Sequence, residues 1–184
     1  MPNPVTSPTV TKGEVLGLLR ESGAVKFGTF TLASGATSDV YVDVKRVWTE
    51  PTRLRTIARA LAARLGPCDR LAGMELGAVP LVVAVALETG IPYAVVRKAP
   101  KEHGTKKRIE GEIASGDRVV VIEDVTTSGA SVVETIGVLR SEGATINRVV
   151  TVVDRGAGAG ARLSGVGVSL EPLATLEELR SGPS

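Results

Sequence analysis

Apolar residues recur along the chain in two rhythms, one helical and one strand-like. Over residues 12–22, Val15, Leu16, Leu18 and Leu19 keep helical spacing. Thr11 followed three residues on by Glu14 reads as a capping box at the start of that helix. Residues 26–43 alternate instead and are broken at Ser34-Gly35, which predicts short strands joined by a turn. Pro51 then marks a helix start. Leu54, Ile57, Ala58, Leu61 and Leu65 continue that helix up to Gly66.

Downstream the pattern alternates regularly. Residues 70–73, 93–96, 118–122 and 147–153 predict strands, and residues 77–88 and 131–142 predict the helices between them. The run 118–122 is almost purely β-branched, as expected for a strand buried on both faces. Residues 166–170 and 173–179 predict a last strand and a short helix. The glycine-rich stretch 156–160 is expected to be a flexible connection, and residues 1–8 a loose arm. Strands alternating with helices define an α/β fold with a parallel sheet and crossover helices. At 184 residues, without an internal repeat or linker, a single domain over 1–184 is expected.

Composition narrows the function. The 22 Lys and Arg nearly cancel the 20 Asp and Glu, leaving +2, which argues against a nucleic-acid coat or an anionic-membrane binder. Aromatics are 3%, too few to offer many stacking surfaces for bases. Cys68 and His103 are the only cysteine and histidine. Disulfides within the chain, cysteine zinc clusters and multi-histidine metal sites are therefore excluded. The longest apolar run, 78–87, is far short of a membrane span. The N-terminus lacks the pattern of a secretory signal, so a cytoplasmic location is expected.

The stretch 119–131 carries the strongest chemical signal. An apolar strand ends in Glu123-Asp124, a Thr-Thr-Ser-Gly loop follows, and a helix begins. Ligands of open α/β sheets bind at the carboxyl ends of strands. Backbone N–H groups at a helix start cradle phosphate, and paired carboxylates suit the vicinal hydroxyls of a sugar. On composition alone the same residues also fit a solvated strand end and an ordinary N-cap loop.

Residues 123–131 resemble the ribose-5-phosphate loop of the type I phosphoribosyltransferases. The resemblance implies that Glu123 and Asp124 meet the ribose hydroxyls of phosphoribosyl pyrophosphate. It also implies that Thr126, Thr127, Ser128, Gly129, Ala130 and Ser131 hold its 5-phosphate, with Val125 among the residues that bind phosphoribosyl pyrophosphate. The basic stretch Arg97-Lys98-Ala99-Pro100-Lys101-Glu102-His103-Gly104 is similar to the mobile catalytic loop of the orotate-using members. Such a run is also compatible with plain solvated surface, and Glu102, Glu110 and Glu112 interrupt it as a nucleic-acid patch. Cations there would stabilise departing pyrophosphate.

Two further segments agree with the resemblance. Phe27-Gly28, Phe30-Thr31-Leu32 and Ser34-Gly35 are similar to the N-terminal hood of those enzymes, which implies a ligand contact for Lys26. Residues 73–81 resemble the pyrophosphate-binding loop, with Leu76-Gly77 where some members carry Tyr-Lys. Backbone contacts there must replace a side-chain ammonium. By itself that stretch also reads as a glycine turn before a helix. Asp154-Arg155 at a strand end reads as a surface ion pair, while the resemblance gives Arg155 to the orotate carboxylate and Thr127 to the pyrimidine ring.

The resemblance implies a central parallel sheet flanked by helices, with a small hood from about residues 1–45 plus C-terminal elements. It implies transfer of a phosphoribosyl group to orotate, Mg²⁺ as cofactor without a confident direct protein ligand, and no nucleic-acid or membrane partner. Lys101, His103 and Asp124 are the expected catalytic residues. A homodimer is implied, with Lys101 and His103 reaching the neighbouring site. Two other readings remain at this point: a purine-type transferase, and a sensor of phosphoribosyl pyrophosphate that binds DNA.

Overall fold

The computed structural model describes residues 9–31, 37–99 and 107–181. The chain opens with α1 (Lys12–Glu21), whose capping box joins Thr11 and Glu14 as the sequence predicts. Strands β1 (Val25–Thr31) and β2 (Thr37–Val42) then pair antiparallel as a separate two-stranded sheet, with an irregularity between Phe27 and Phe30. The short α2 (Lys45–Trp48) and the longer α3 (Pro51–Ala62) follow. Glu50 caps α3 by accepting the N–H groups of Thr52 and Arg53.

The remaining chain builds the main sheet. Its strands are β3 (Arg70–Met74), β4 (Tyr93–Val96), β5 (Ile109–Glu110), β6 (Arg118–Thr126), β7 (Thr145–Asp154) and β8 (Ser169–Thr175), in the order β5-β4-β3-β6-β7-β8. Every neighbouring pair is parallel except β5 on β4, a two-residue antiparallel edge. Helices α4 (Val79–Thr89), α5 (Ala130–Ser141), α6 (Ala159–Ser164) and α7 (Leu176–Arg180) complete the chain.

The side-chain alternation of β6 divides the core. Val120 and Ile122 pack on the face shared with α3 and α4, where Ile57, Leu61 and Leu81 lie. Val119 and Val121 pack on the opposite face with Ile136 and Leu139 of α5. Over 119–122, residues of even number thus face one layer and residues of odd number the other, the period-two geometry of a strand.

Three segments depart from the expected pattern. The glycine-rich stretch is not a plain connection: Gly158, at φ +94°, caps α6, and Ala159 and Leu163 bury one face of it. Residues 173–175 belong to β8 and not to a helix, because Leu173 and Ala174 complete the sheet against β7 with both side chains fully buried. Pro172 is tolerated there because β8 is an edge strand. The expected helix from 77 begins at Val79, residues 75–78 forming a turn.

Candidate active site

Strand order fixes where a ligand fits. From β3 the chain crosses outward to β4, and β6 then returns to lie on the other side of β3. The carboxyl ends of β3 and β6 therefore diverge at a topological switch point, where open α/β sheets leave a crevice. A cleft of about 310 Å³ lies there. Met74, Glu75, Leu76 and Gly77 border it from the β3 side. Glu123, Asp124, Val125 and Ser131 border it from the β6 side, and Lys98 and Lys45 complete the lining.

The two carboxylates on β6 have different surroundings. Glu123 is buried, and its Oε1 accepts the Asp124 N–H at 3.1 Å. Burial raises its pKa to about 8, helped by a hydrogen bond with the Asp124 side chain and by its negative charge, and opposed in part by the Asp124 N–H and by Lys98. Asp124 is half-buried and accepts the Val125 N–H at 2.8 Å. Its other oxygen lies under Gly77: a Cβ there would stand 2.8 Å from Oδ2. The loop after β3 can close on Asp124 only because residue 77 has no side chain. The preceding peptide bond, Glu75–Leu76, is cis.

Beyond the carboxylates the chain turns into α5. Gly129, at φ +75°, makes the turn, and no side chain caps the helix. A Cβ on Gly129 would stand 3.2 Å from the Ala159 Cα, so this loop rests against α6. The free N–H groups of the first turn face the end of the helix dipole that attracts anions. Thr127 and Ser128 are exposed, while Thr126 is buried with its hydroxyl donated to Asp154 Oδ1 at 2.9 Å. The Thr126 side chain thus ties β6 to β7.

Register places the next pair. Thr126 lies opposite Asp154, so Thr127 and Arg155 leave neighbouring strand tips together. The Arg155 N–H donates to the Thr126 carbonyl at 2.9 Å. Its Nε is buried without a hydrogen-bond partner among the described residues. A buried guanidinium nitrogen in that condition fits an anionic ligand.

The basic segment begins on β4. Arg97 Nη1 lies 3.3 Å from Glu110 Oε1, and its Nε is buried without a described partner. The Lys98 N–H donates to Glu75 Oε1 at 3.0 Å. Arg108 binds across the base of the segment, donating to the carbonyls of Arg97 and Lys98 and pairing with Glu134 of α5 at 2.7 Å. Lys101 and His103 lie outside the described residues. Lys26 is exposed on β1, its Cε 3.6 Å from where a Gly23 Cβ would stand, and it does not border the cleft. Sequence reasoning missed Glu75 and Lys45. Glu75 stood within a recognised segment, whereas nothing in the spacing of Lys45 links it to a loop so far along the chain.

The model for the phosphoribosyl transferase domain matches residues 43–173. The fold is thus that of the type I phosphoribosyltransferases. The chain is 48% identical to orotate phosphoribosyltransferase from Methanosarcina mazei over 91% of each chain. A solved structure of orotate phosphoribosyltransferase from Aeropyrum pernix superposes with a TM-score of 0.80 at 36% identity, covering 91% of this chain and 96% of that one. The Mycobacterium tuberculosis enzyme in complex with 5-phospho-alpha-D-ribosyl 1-diphosphate superposes with a TM-score of 0.75 at 30% identity, covering 92% and 98%. This chain belongs to the orotate phosphoribosyltransferases.

Proposed function

We infer that the chain transfers the 5-phosphoribosyl group from phosphoribosyl pyrophosphate to orotate, giving orotidine 5′-monophosphate and pyrophosphate in pyrimidine biosynthesis. The observation that carries this reading is one crevice holding a carboxylate pair, an uncapped helix start and an arginine with an unpartnered buried nitrogen.

The roles follow the order of groups along the crevice. The 5-phosphate sits on the N–H groups of residues 127–131, at the start of α5. Asp124 and Glu123 take the ribose hydroxyls, Asp124 as acceptor and Glu123, protonated at neutral pH, as donor or acceptor. The diphosphate lies against the backbone of Leu76 and Gly77. Arg155 forks onto the orotate carboxylate beside Thr127. An orotate nitrogen attacks C1 of the ribose while the C1–oxygen bond to pyrophosphate breaks. Positive charge develops on the sugar and negative charge on the leaving group, so catalysis is chiefly positioning and electrostatics. Arg97, Lys98, Lys101 and His103 neutralise the leaving group.

No group of three His, Cys, Asp or Glu among the described residues is placed to hold a metal ion. The oxygen-rich crevice suits Mg²⁺ that arrives bound to the substrate's own oxygens, where it offsets diphosphate charge. A homodimer in which Lys101 and His103 serve the neighbouring site completes the proposal. No helix among the described residues is long and apolar enough to cross a membrane.

The test is orotate absorbance followed over time with phosphoribosyl pyrophosphate and Mg²⁺. Loss of orotate that needs both additions supports the reading. Unchanged orotate in the presence of bound phosphoribosyl pyrophosphate sinks it.

A further inference from the structure

Lys45 stands out because two buried neighbours fix its backbone while its side chain borders the crevice. Val44 and Val47 are 1% and 0% exposed, and Trp48 packs on the same core. The N–H of Asp43 donates to the Ala24 carbonyl at 2.7 Å, which holds the entry to α2. The Lys45 side chain therefore leaves a rigid anchor into the cleft that Gly77, Lys98 and Asp124 border. Its ammonium makes no hydrogen bond or ion pair with any described residue. The adjacent Arg46, by contrast, is engaged with Asp43 at 4.0 Å. A lysine beside three carboxylates and paired with none of them is placed for a group that is not part of the protein.

Gly77 explains why a cation from this direction is needed. A side chain at position 77 would press on Asp124: a Cβ there would stand 2.8 Å from Oδ2, and the carboxylate would have to shift. The loop after β3 offers the diphosphate only backbone N–H groups and no ammonium. The 5-phosphate already has the start of α5. The diphosphate is the most highly charged part of the substrate, and among the described residues Lys98 is the other lysine that borders the cleft.

We propose that Lys45 is a substrate-binding residue whose ammonium contacts the diphosphate of phosphoribosyl pyrophosphate, supplying from α2 the cation that Gly77 cannot. This rests on the reading of the crevice as a phosphoribosyl pyrophosphate site. A flexible lysine suits the task because one point charge can follow diphosphate oxygens as they move from substrate to product.

The experiment compares Lys45→Gln, Lys45→Arg and Arg46→Ala with the unaltered protein. Inorganic pyrophosphate and ribose 5-phosphate serve as inhibitors against phosphoribosyl pyrophosphate. Loss of one charge-assisted hydrogen bond predicts that Lys45→Gln raises KM for phosphoribosyl pyrophosphate about tenfold, with KM for orotate unchanged. The inhibition constant of pyrophosphate should rise by a similar factor and that of ribose 5-phosphate should not. Lys45→Arg should recover most of the loss, and Arg46→Ala should behave as unaltered. An unchanged pyrophosphate constant in Lys45→Gln overturns the proposal. So does a loss confined to ribose 5-phosphate. If the unaltered protein fails to consume orotate, the functional reading falls, and direct binding of pyrophosphate by calorimetry still tests Lys45 through the same comparison.

Discussion

At the amino ends of β3 and β6, acidic and basic groups are matched. Asp69 takes the Arg118 guanidinium at 2.7 and 2.8 Å, and Asp117 takes Arg70 at 3.0 Å. These contacts hold the Asp69 carboxyl well below the usual carboxylate range, and the Ala114 N–H and then Arg70 lower Asp117. At the carboxyl ends of the same strands the opposite holds. Glu123 is raised to about 8, Lys45 has no described partner, and Arg155 buries an unpartnered nitrogen. One sheet thus carries satisfied charge at one edge and unsatisfied charge at the other. The satisfied edge is matched within the protein, and the unsatisfied edge is the one that the proposed function assigns to a ligand. Changes to the unpartnered cations at the carboxyl edge should therefore alter turnover and leave stability nearly intact, with the reverse for the ion pairs at the amino edge.

The largest effect belongs to Lys101, on the segment that leaves the carboxyl end of β4. Lys101→Ala should lower kcat by about a hundredfold or more, the scale of removing one preorganised charge from a transition state. Steady-state turnover beside a melting curve checks it, and unchanged turnover breaks the comparison at its strongest point. Arg155→Ala should come next, raising KM for orotate by about tenfold or more while KM for phosphoribosyl pyrophosphate holds. Gly77→Ala should weaken phosphoribosyl pyrophosphate about tenfold by pushing Asp124 aside, which titration calorimetry would read directly.

Smaller effects fall on stability. The native state holds the Glu123 proton up to about pH 8, whereas the ordinary value is 4.5. Between those two values the folded protein binds a proton that the unfolded chain has released, so this group's contribution to stability declines as pH rises and levels off above about 8. Asp69 and Asp117 act in the opposite sense: their contribution is present above the usual carboxylate range and is lost as pH falls. Urea unfolding across that range should show a downward slope that Glu123→Gln flattens. The smallest effect is that of Arg70→Ala, which should lower the melting temperature slightly and leave kcat and both KM values unchanged.

Much of this was legible in the order of residues, and the parts that were not have physical reasons. The strand of β6 with its two acids and hydroxyl-rich turn announces both element and chemistry, because local sequence determines both. Helix α6 was hidden because Gly156 and Gly158 mark a break, and the only contrary signal is Ala159 and Leu163 four residues apart. Residues 173–179 mislead because Leu173, Leu176 and Leu179 keep helical spacing, yet sheet pairing through Thr175 overrides it. Lys45 enters the crevice through tertiary packing alone. Nothing local distinguishes it from Arg46, which turns toward Asp43.

Arg108 carries a consequence for the length of the chain that it closes. By gripping the carbonyls of Arg97 and Lys98 together, it fixes the spacing of the two points where the basic segment leaves and rejoins the sheet. The sheet is then indifferent to how many residues lie between them. Doubling such a span costs only about 0.6 kcal/mol in closure entropy. The sheet thus tolerates a change in the length of this segment, and a foreign sequence grafted between 99 and 107 should leave the strands around it undisturbed.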